Sequence, residues 1–146
     1  MAFAAVRGAR VCAGVAVVLR RARYATAHDV LGANGLIFAA PENLAALAGE
    51  MKEFFDRVYY AVLDQTNGKP YAALICAGSD GRNAERQIER IATGLRLRRV
   101  AAAQIARTGA QTPEAILAPK QLSGEVLVQC MDTGALLAAG LEAGIY

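Results

Sequence analysis

Tryptophan is missing from this chain, histidine occurs once, and the three cysteines lie far apart. Each shortage removes a class of chemistry. Cys12, Cys76 and Cys130 form neither a CxxC nor an even-numbered framework. That leaves no disulfide scaffold and no zinc site, and makes a reducing cytoplasm the expected compartment. The lone histidine sits in Thr26-Ala27-His28-Asp29, where Thr26 and Asp29 read as a capping box and His28 as a surface residue. With no second histidine and no serine elbow, a Ser-His-Asp hydrolase has no support. No apolar run nears the ~20 residues of a membrane span; the longest, Val11 to Leu19, is closed by Arg20-Arg21. No acid precedes Asp29, whereas Arg7, Arg10, Arg20, Arg21 and Arg23 do. Such a basic start is open to reading as a transit peptide or a nucleic-acid patch. Val15-Ala16-Val17-Val18-Leu19, however, makes a good buried strand, so the stretch reads as a helix and a strand with solvated ends. Neither nucleic acid nor a membrane is the expected partner.

What is present points to one α/β domain over residues 1–146. The hydrophobic fraction is 55%, and net charge is a mild +3. Met1 to about Arg10 reads as helix, Val15–Leu19 as strand, and Thr26 to about Ala33 as a short helix. Leu36–Ala39 is an apolar run with no polar side, the mark of a strand buried on both faces. Pro41 should end that strand, and Asn43, beside Glu42, should cap a helix. That helix carries Leu44, Leu47, Met51, Phe54, Phe55, Val58 and Val62 on one stripe. Asn67-Gly68-Lys69-Pro70 is a turn, and Tyr71–Cys76 a strand. A second helix puts Ala84, Ile88, Ile91, Ala92 and Leu95 on one face. Val100–Ile105 reads as a strand, Arg107–Pro119 as a loop, and Ser123–Glu142 as the last helix. Alternating parallel-type strands and helices make a three-layer α/β/α sandwich. Three loops, Ala40–Asn43, Ala77–Asn83 and Arg107–Pro113, should then open along one sheet edge, where such folds bind ligands.

Pro41-Glu42-Asn43, followed by Met51-Lys52-Glu53-Phe54-Phe55-Asp56-Arg57, resembles the third strand and third helix of the NAD(P)H-dependent FMN reductases, a flavodoxin-like family. Cys76-Ala77-Gly78-Ser79-Asp80-Gly81 is similar to the loop after that family's fourth strand. The resemblance covers nearly the whole chain. It implies a parallel flavodoxin-like sheet and FMN as cofactor. By position, Pro41, Glu42, Asn43 and Leu44 would face one side of the isoalloxazine ring. Gly78, Ser79, Asp80 and Gly81 would offer backbone N–H groups to its polar edge. A flavin carries the redox chemistry itself, so no catalytic acid–base pair and no metal is expected. Out of context the same residues have plainer readings. Pro41-Glu42-Asn43 is ordinary strand-stop and helix-cap chemistry, and Gly78–Gly81 an ordinary βα turn capped by Ser79 or Asp80.

One departure from the family is large. Its first strand and phosphate-binding loop have no counterpart here, and in a 2-1-3-4-5 sheet that strand is the central one. The resemblance therefore implies a chain that begins upstream of Met1. Without that strand, Val15–Leu19 and Leu36–Ala39 lose the neighbour between them. The phosphate loses its cradle as well, with Arg82 or Arg107 as stand-in charges.

The resemblance implies an FMN-dependent oxidoreductase that takes hydride from NADPH or NADH and passes it to a small-molecule acceptor. The alternatives are a flavodoxin-type electron carrier, disfavoured by the basic net charge, and a non-catalytic flavodoxin-like binding domain. A receiver domain would need early clustered carboxylates, which are lacking. Tyr60, opposite the apolar stripe of its helix, is either a homodimer contact or a lone surface tyrosine.

Overall fold

The computed structural model describes residues 1–146. Its five strands are β1 (Leu36–Asn43), β2 (Ala46–Leu47), β3 (Pro70–Ala77), β4 (Arg98–Arg99) and β5 (Gln104–Arg107). Its helices are α1 (Ala2–Ala9), α2 (Ala27–Gly32), α3 (Gly49–Val62), α4 (Arg82–Gly94), α5 (Pro113–Leu117) and α6 (Gly124–Glu142). A single 3-10 turn spans Ala22–Tyr24. No helix is long and apolar enough to cross a membrane.

β3 is the centre because its sequence leaves it no face for water. Every residue but Cys76 is buried. It pairs in parallel with β1, from Leu36↔Tyr71 to Pro41↔Cys76. On its other side it pairs in parallel with β4 at Pro70↔Arg98 and Tyr71↔Arg99, then with β5 from Leu74↔Gln104 to Ala77↔Arg107. β4 and β5 are thus one interrupted strand position. The expected strand over Val100–Ile105 is displaced: Val100 still donates to the Tyr71 carbonyl at 3.0 Å, but the ladder lapses through Ala103. The alanine-rich run has little side-chain surface to hold a pleat.

Side-chain alternation divides the core into two layers. On one face Phe38, Ala40, Tyr71, Ala73 and Ile75 pack against Phe54, Phe55 and Val58 of α3 and Ala84, Ile88 and Ala92 of α4. Phe38 meets Phe55 edge-on at 4.9 Å between ring centroids, a pairing worth ~0.5–1.5 kcal/mol beyond its buried area. On the opposite face Leu74 packs with Ala4 and Ala5 of α1 and Cys130 of α6, with Ile37 and Ala39 against them. α1 and α6 approach backbone to backbone. A Cβ added at Gly8 would lie 1.9 Å from the Met131 carbonyl oxygen, and one at Gly134 would lie 2.0 Å from that of Ala5. The three-layer α/β/α architecture holds, with α1 and α6 on one side of the sheet and α3 and α4 on the other.

Two expectations fail. Val15–Leu19 is extended but is not a strand. Beyond Val15, no backbone group of residues 16–20 bonds to another backbone group. A strand needs a neighbour to close its ladder, and none lies beside it. The second failure concerns Pro41 and Asn43. Pro41 does not stop the strand, because β1 runs on through Asn43 and then turns back as an antiparallel hairpin with β2, Glu42↔Leu47 and Asn43↔Ala46. The proline keeps its register opposite Cys76. The long helix therefore starts at Gly49, six residues after Asn43, and Asn43 caps nothing.

Candidate functional site

The three loops predicted to share an edge do meet. The first is the β1–β2 hairpin. Its two corner residues, Leu44 at φ 50° and Ala45 at φ 57°, are both left-handed, the conformation of a two-residue type I′ turn. Leu44 at the tip is fully exposed. Glu42 anchors this hairpin to the second loop. One carboxylate oxygen accepts the Gly81 N–H at 2.8 Å and the other accepts the Ala84 N–H at 3.3 Å. The Asn83 side-chain amide donates to the Ala45 carbonyl at 2.6 Å, and Leu47 N–H donates to the Gln87 side chain at 2.9 Å. An anionic side chain from one loop thus takes two of the N–H donors at the start of α4, those of Gly81 and Ala84, as the helix dipole favours.

The second loop is Gly78–Gly81. Gly81 has φ +81°, and a Cβ there would lie 2.4 Å from Cγ2 of Ile105, so only glycine fits both the turn and the packing beneath it. The third loop, after β5, bonds directly to the second. Thr108 N–H donates to the Ala77 carbonyl at 2.9 Å and Gly109 N–H to the Gly78 carbonyl at 2.8 Å. Arg107 Nε donates to the Asp80 carbonyl at 3.1 Å. All three loops therefore crowd onto one rim at the C-terminal ends of β1, β3 and β5.

The positions singled out from sequence fall unevenly on that rim. The N–H groups of Gly78, Ser79 and Asp80 have no protein acceptor. They are consecutive, and Ser79 and Asp80 are exposed. Gly81 is different, since its N–H goes to Glu42. Pro41 and Asn43 are exposed beside this loop, whereas Leu44 sits at the outer corner of the hairpin. The Glu42 side chain bonds across the rim, so its part in the site is to hold two loops together. Sequence reasoning passed over the contributions of Asn83 and Gln87. Neither lies on the apolar stripe of α4 or at its cap, and the hairpin they grip has no glycine to announce it.

Two cations on the rim keep local partners. Arg82 pairs with Glu85 at 3.2 Å, and Arg107 holds the Asp80 carbonyl. The rim is an open ledge. Two shallow hollows lie elsewhere, one between α3 and α4 lined by Lys52, Asp56, Tyr59 and Arg90, the other beside Asn67–Pro70. The rim merits more weight than either because three consecutive N–H groups there have no protein acceptor. No cluster of His, Cys, Asp and Glu suited to a metal ion occurs.

Known proteins similar to this chain are consistent in kind. Over 81 residues the chain is 36% identical to a flavodoxin of Aquifex aeolicus, a match spanning 56% of this chain and 44% of that protein. The matched part is thus less than half of that relative's length. Among solved structures, an archaeal flavodoxin superposes with a TM-score of 0.76 at 15% identity, over 97% of this chain and 87% of its own. A WrbA-like flavodoxin from Agrobacterium tumefaciens gives 0.72 at 15% identity, again over 97% and 87%. The fold is flavodoxin-like. The family model of NADPH-dependent FMN reductases matches residues 19–112, which run from the end of the unpaired segment through all three rim loops, and the chain accordingly belongs to the NADPH-dependent FMN reductase family.

Proposed function

We propose that this chain is an FMN-dependent oxidoreductase that moves hydride from NADPH or NADH to a small-molecule acceptor. The observation that carries the reading is the row of free N–H donors at Gly78, Ser79 and Asp80. A planar heterocycle edged with carbonyl oxygens and ring nitrogens is the kind of ligand such a row serves. The residues present fit the ring of FMN. Gly78, Ser79 and Asp80 would hold its polar edge, and Pro41 and Asn43 would flank its face, with Glu42 keeping the hairpin in place. When bound, the flavin supplies two-electron redox chemistry at its ring. The protein's share is orientation and electrostatics. Backbone donors aimed at the polar edge favour negative charge developing there. The glycines let the chain come close to a flat guest.

The phosphate end has less support. At the start of α4, Glu42 already holds the Gly81 and Ala84 N–H groups, and the nearby arginines are committed locally. Ring binding and phosphate binding are therefore separable. The test is a titration of the purified chain with FMN and with riboflavin, followed by quenching of flavin fluorescence, and then NADPH oxidation by the loaded protein. The reading expects both flavins to bind and NADPH to be consumed. Failure to bind either flavin would overturn it.

The match to a flavodoxin favours a second reading, an electron carrier with no NADPH oxidation of its own. The net charge of +3 opposes it, because carriers meet basic partners through acidic faces. Flavin binding without NADPH oxidation would decide for the carrier.

A further inference from the structure

We propose that the hollow between α3 and α4, with Arg86 and Arg90 beside it, is a second binding site, and that its ligand is an aromatic phosphate monoester. The ring enters the hollow and the phosphate bridges the two guanidinium groups. The site is separate from the rim, whose loops contribute none of its residues. The charges of the two helices point to it first. Every acid on α3 and α4 has a cation. Glu50 pairs with Arg23, Glu53 with Arg57 and Asp56 with Lys52. Glu85 pairs with Arg82, and Arg99 of β4 reaches both Glu85 and Glu89. Arg86 and Arg90 are the two cations of these helices left over, exposed and without an acid. They stand one turn apart, in a row with Arg82. Like charges at that spacing weaken a helix, whereas α3 uses the same spacing for the attractive pairs Lys52–Asp56 and Glu53–Arg57. A phosphate dianion laid across Arg86 and Arg90 removes the repulsion, and the guanidinium fork matches phosphate oxygens two at a time.

The hollow supplies the place for the ring. It holds about 260 Å³, and its lining includes Phe55, Ile91, Tyr59, Gly94 and Arg90. Phe55 is buried and Ile91 and Tyr59 are half-buried, so the base is apolar and one side aromatic. Tyr59 meets Tyr60 edge-on at 5.3 Å between ring centroids, which steadies its ring. A Cβ at Gly94 would lie 3.7 Å from the Tyr59 hydroxyl, so the glycine leaves that ring uncovered. Lys52 lines the hollow too but is engaged with Asp56, which leaves Arg90 as the free charge at its mouth. An apolar base with a few placed polar groups is the usual make-up of a small-molecule site. The volume falls below the ~300–1,000 Å³ of most such sites, which suits one flat ring and not a dinucleotide.

The experiment is calorimetric titration of the purified chain with adenosine 5′-monophosphate, with adenosine and inorganic phosphate as separate titrants, and amide NMR to locate what binds. Four variants accompany it: Arg86→Gln, Arg90→Gln, Tyr59→Leu and, as control, Arg10→Gln, which removes one charge at the end of α1 on the opposite side of the sheet. The three arginines are exposed, so those folds should survive, and far-UV circular dichroism checks all four. Should Tyr59→Leu unfold, the two α4 variants still decide. The expected result is binding of the monophosphate that weakens as salt rises and exceeds that of adenosine or phosphate alone. Arg86→Gln and Arg90→Gln should each lower the affinity roughly tenfold or more, and Arg10→Gln should leave it unchanged. Amide shifts should gather at Lys52–Tyr59 and Arg90–Gly94. No binding of the monophosphate would overturn the proposal, as would binding that survives Arg90→Gln or shifts centred on Gly78–Gly81. Sedimentation supplies a last check: a native dimer that Arg90→Gln turns into a monomer would mean that a second copy fills the hollow, and would also overturn it.

Discussion

The Glu42 carboxylate accepts the Gly81 N–H at 2.8 Å, joining the end of β1 to the start of α4. This single cross-loop bond, with its partner to Ala84, turns two separate strand ends into one rim. Glu42→Ala removes a charged acceptor and leaves two helix-start donors without it. The expected loss is about 2 kcal/mol, read as a lower midpoint in urea unfolding. Flavin affinity should fall with it, since the hairpin is no longer held. An unchanged midpoint would show that water replaces the carboxylate at no cost.

Gly81 and Gly109 make a matched pair. Both have positive φ, +81° and +67°, but a Cβ at Gly81 meets Ile105 and Ala77 whereas one at Gly109 meets nothing. Gly109→Ala should cost about 1 kcal/mol, the left-handed penalty alone. Gly81→Ala should cost roughly 2–4 kcal/mol, because overpacking adds to the same penalty. Equal melting temperatures for the two variants would contradict this account.

The hairpin corner is strained by its residues. Leu44 and Ala45 both hold left-handed angles that favour Asn and Gly. The double variant Leu44→Asn, Ala45→Gly should stabilise the fold by about 1 kcal/mol, measured by urea or thermal unfolding. The exposed Leu44 side chain contributes no packing to lose.

The crossing of α1 and α6 has no room for a methyl group. Gly8→Ala or Gly134→Ala would each drive a Cβ into a carbonyl oxygen. Each should cost roughly 1–3 kcal/mol, with the two helices shifting apart. Because both substitutions relax the same crossing, the double variant should cost less than the sum of the singles.

Acid should weaken the start of α2. The Thr26 hydroxyl and N–H bond the Asp29 carboxylate at 2.7 and 2.8 Å and hold its carboxyl below the usual range. Arg23 does the same to Glu50, and Arg57 to Glu53. A carboxyl lowered in the folded state binds its proton more readily when unfolded. Its stabilisation is therefore whole above the ordinary carboxylate pKa and drains away as pH falls through the lowered one. Asp29→Asn should flatten stability against pH in that acid window and leave the slope near neutrality unchanged. Chemical denaturation at stepped pH reads both.

The contrast between sequence and structure is clearest at β3 and at Pro41-Glu42-Asn43. Tyr71–Cys76 announced itself as a short apolar run directly after the Asn67–Pro70 turn, too short for a buried helix. The stripes of α3 and α4 were plain for the same kind of reason, and the capping box at Thr26 formed as read. The hairpin gave no such sign. Its corner is Leu-Ala where a turn of this type usually shows Asn or Gly, and a proline and an asparagine mimic a strand stop and a helix cap. Glu42 and Asn83, acting across some forty positions of chain, override those local preferences.

Local chemistry thus settled the identities of the buried strands and amphipathic helices, the parallel layering and the edge on which loops would gather. Those properties follow from where apolar side chains recur along the chain, which neighbours in sequence suffice to specify. Pairing is another matter. Whether Val15–Leu19 becomes a strand, where β1 ends, and which N–H groups on the rim stay free depend on partners far away in sequence. A hydrogen bond needs its acceptor in place, and only the assembled fold puts it there.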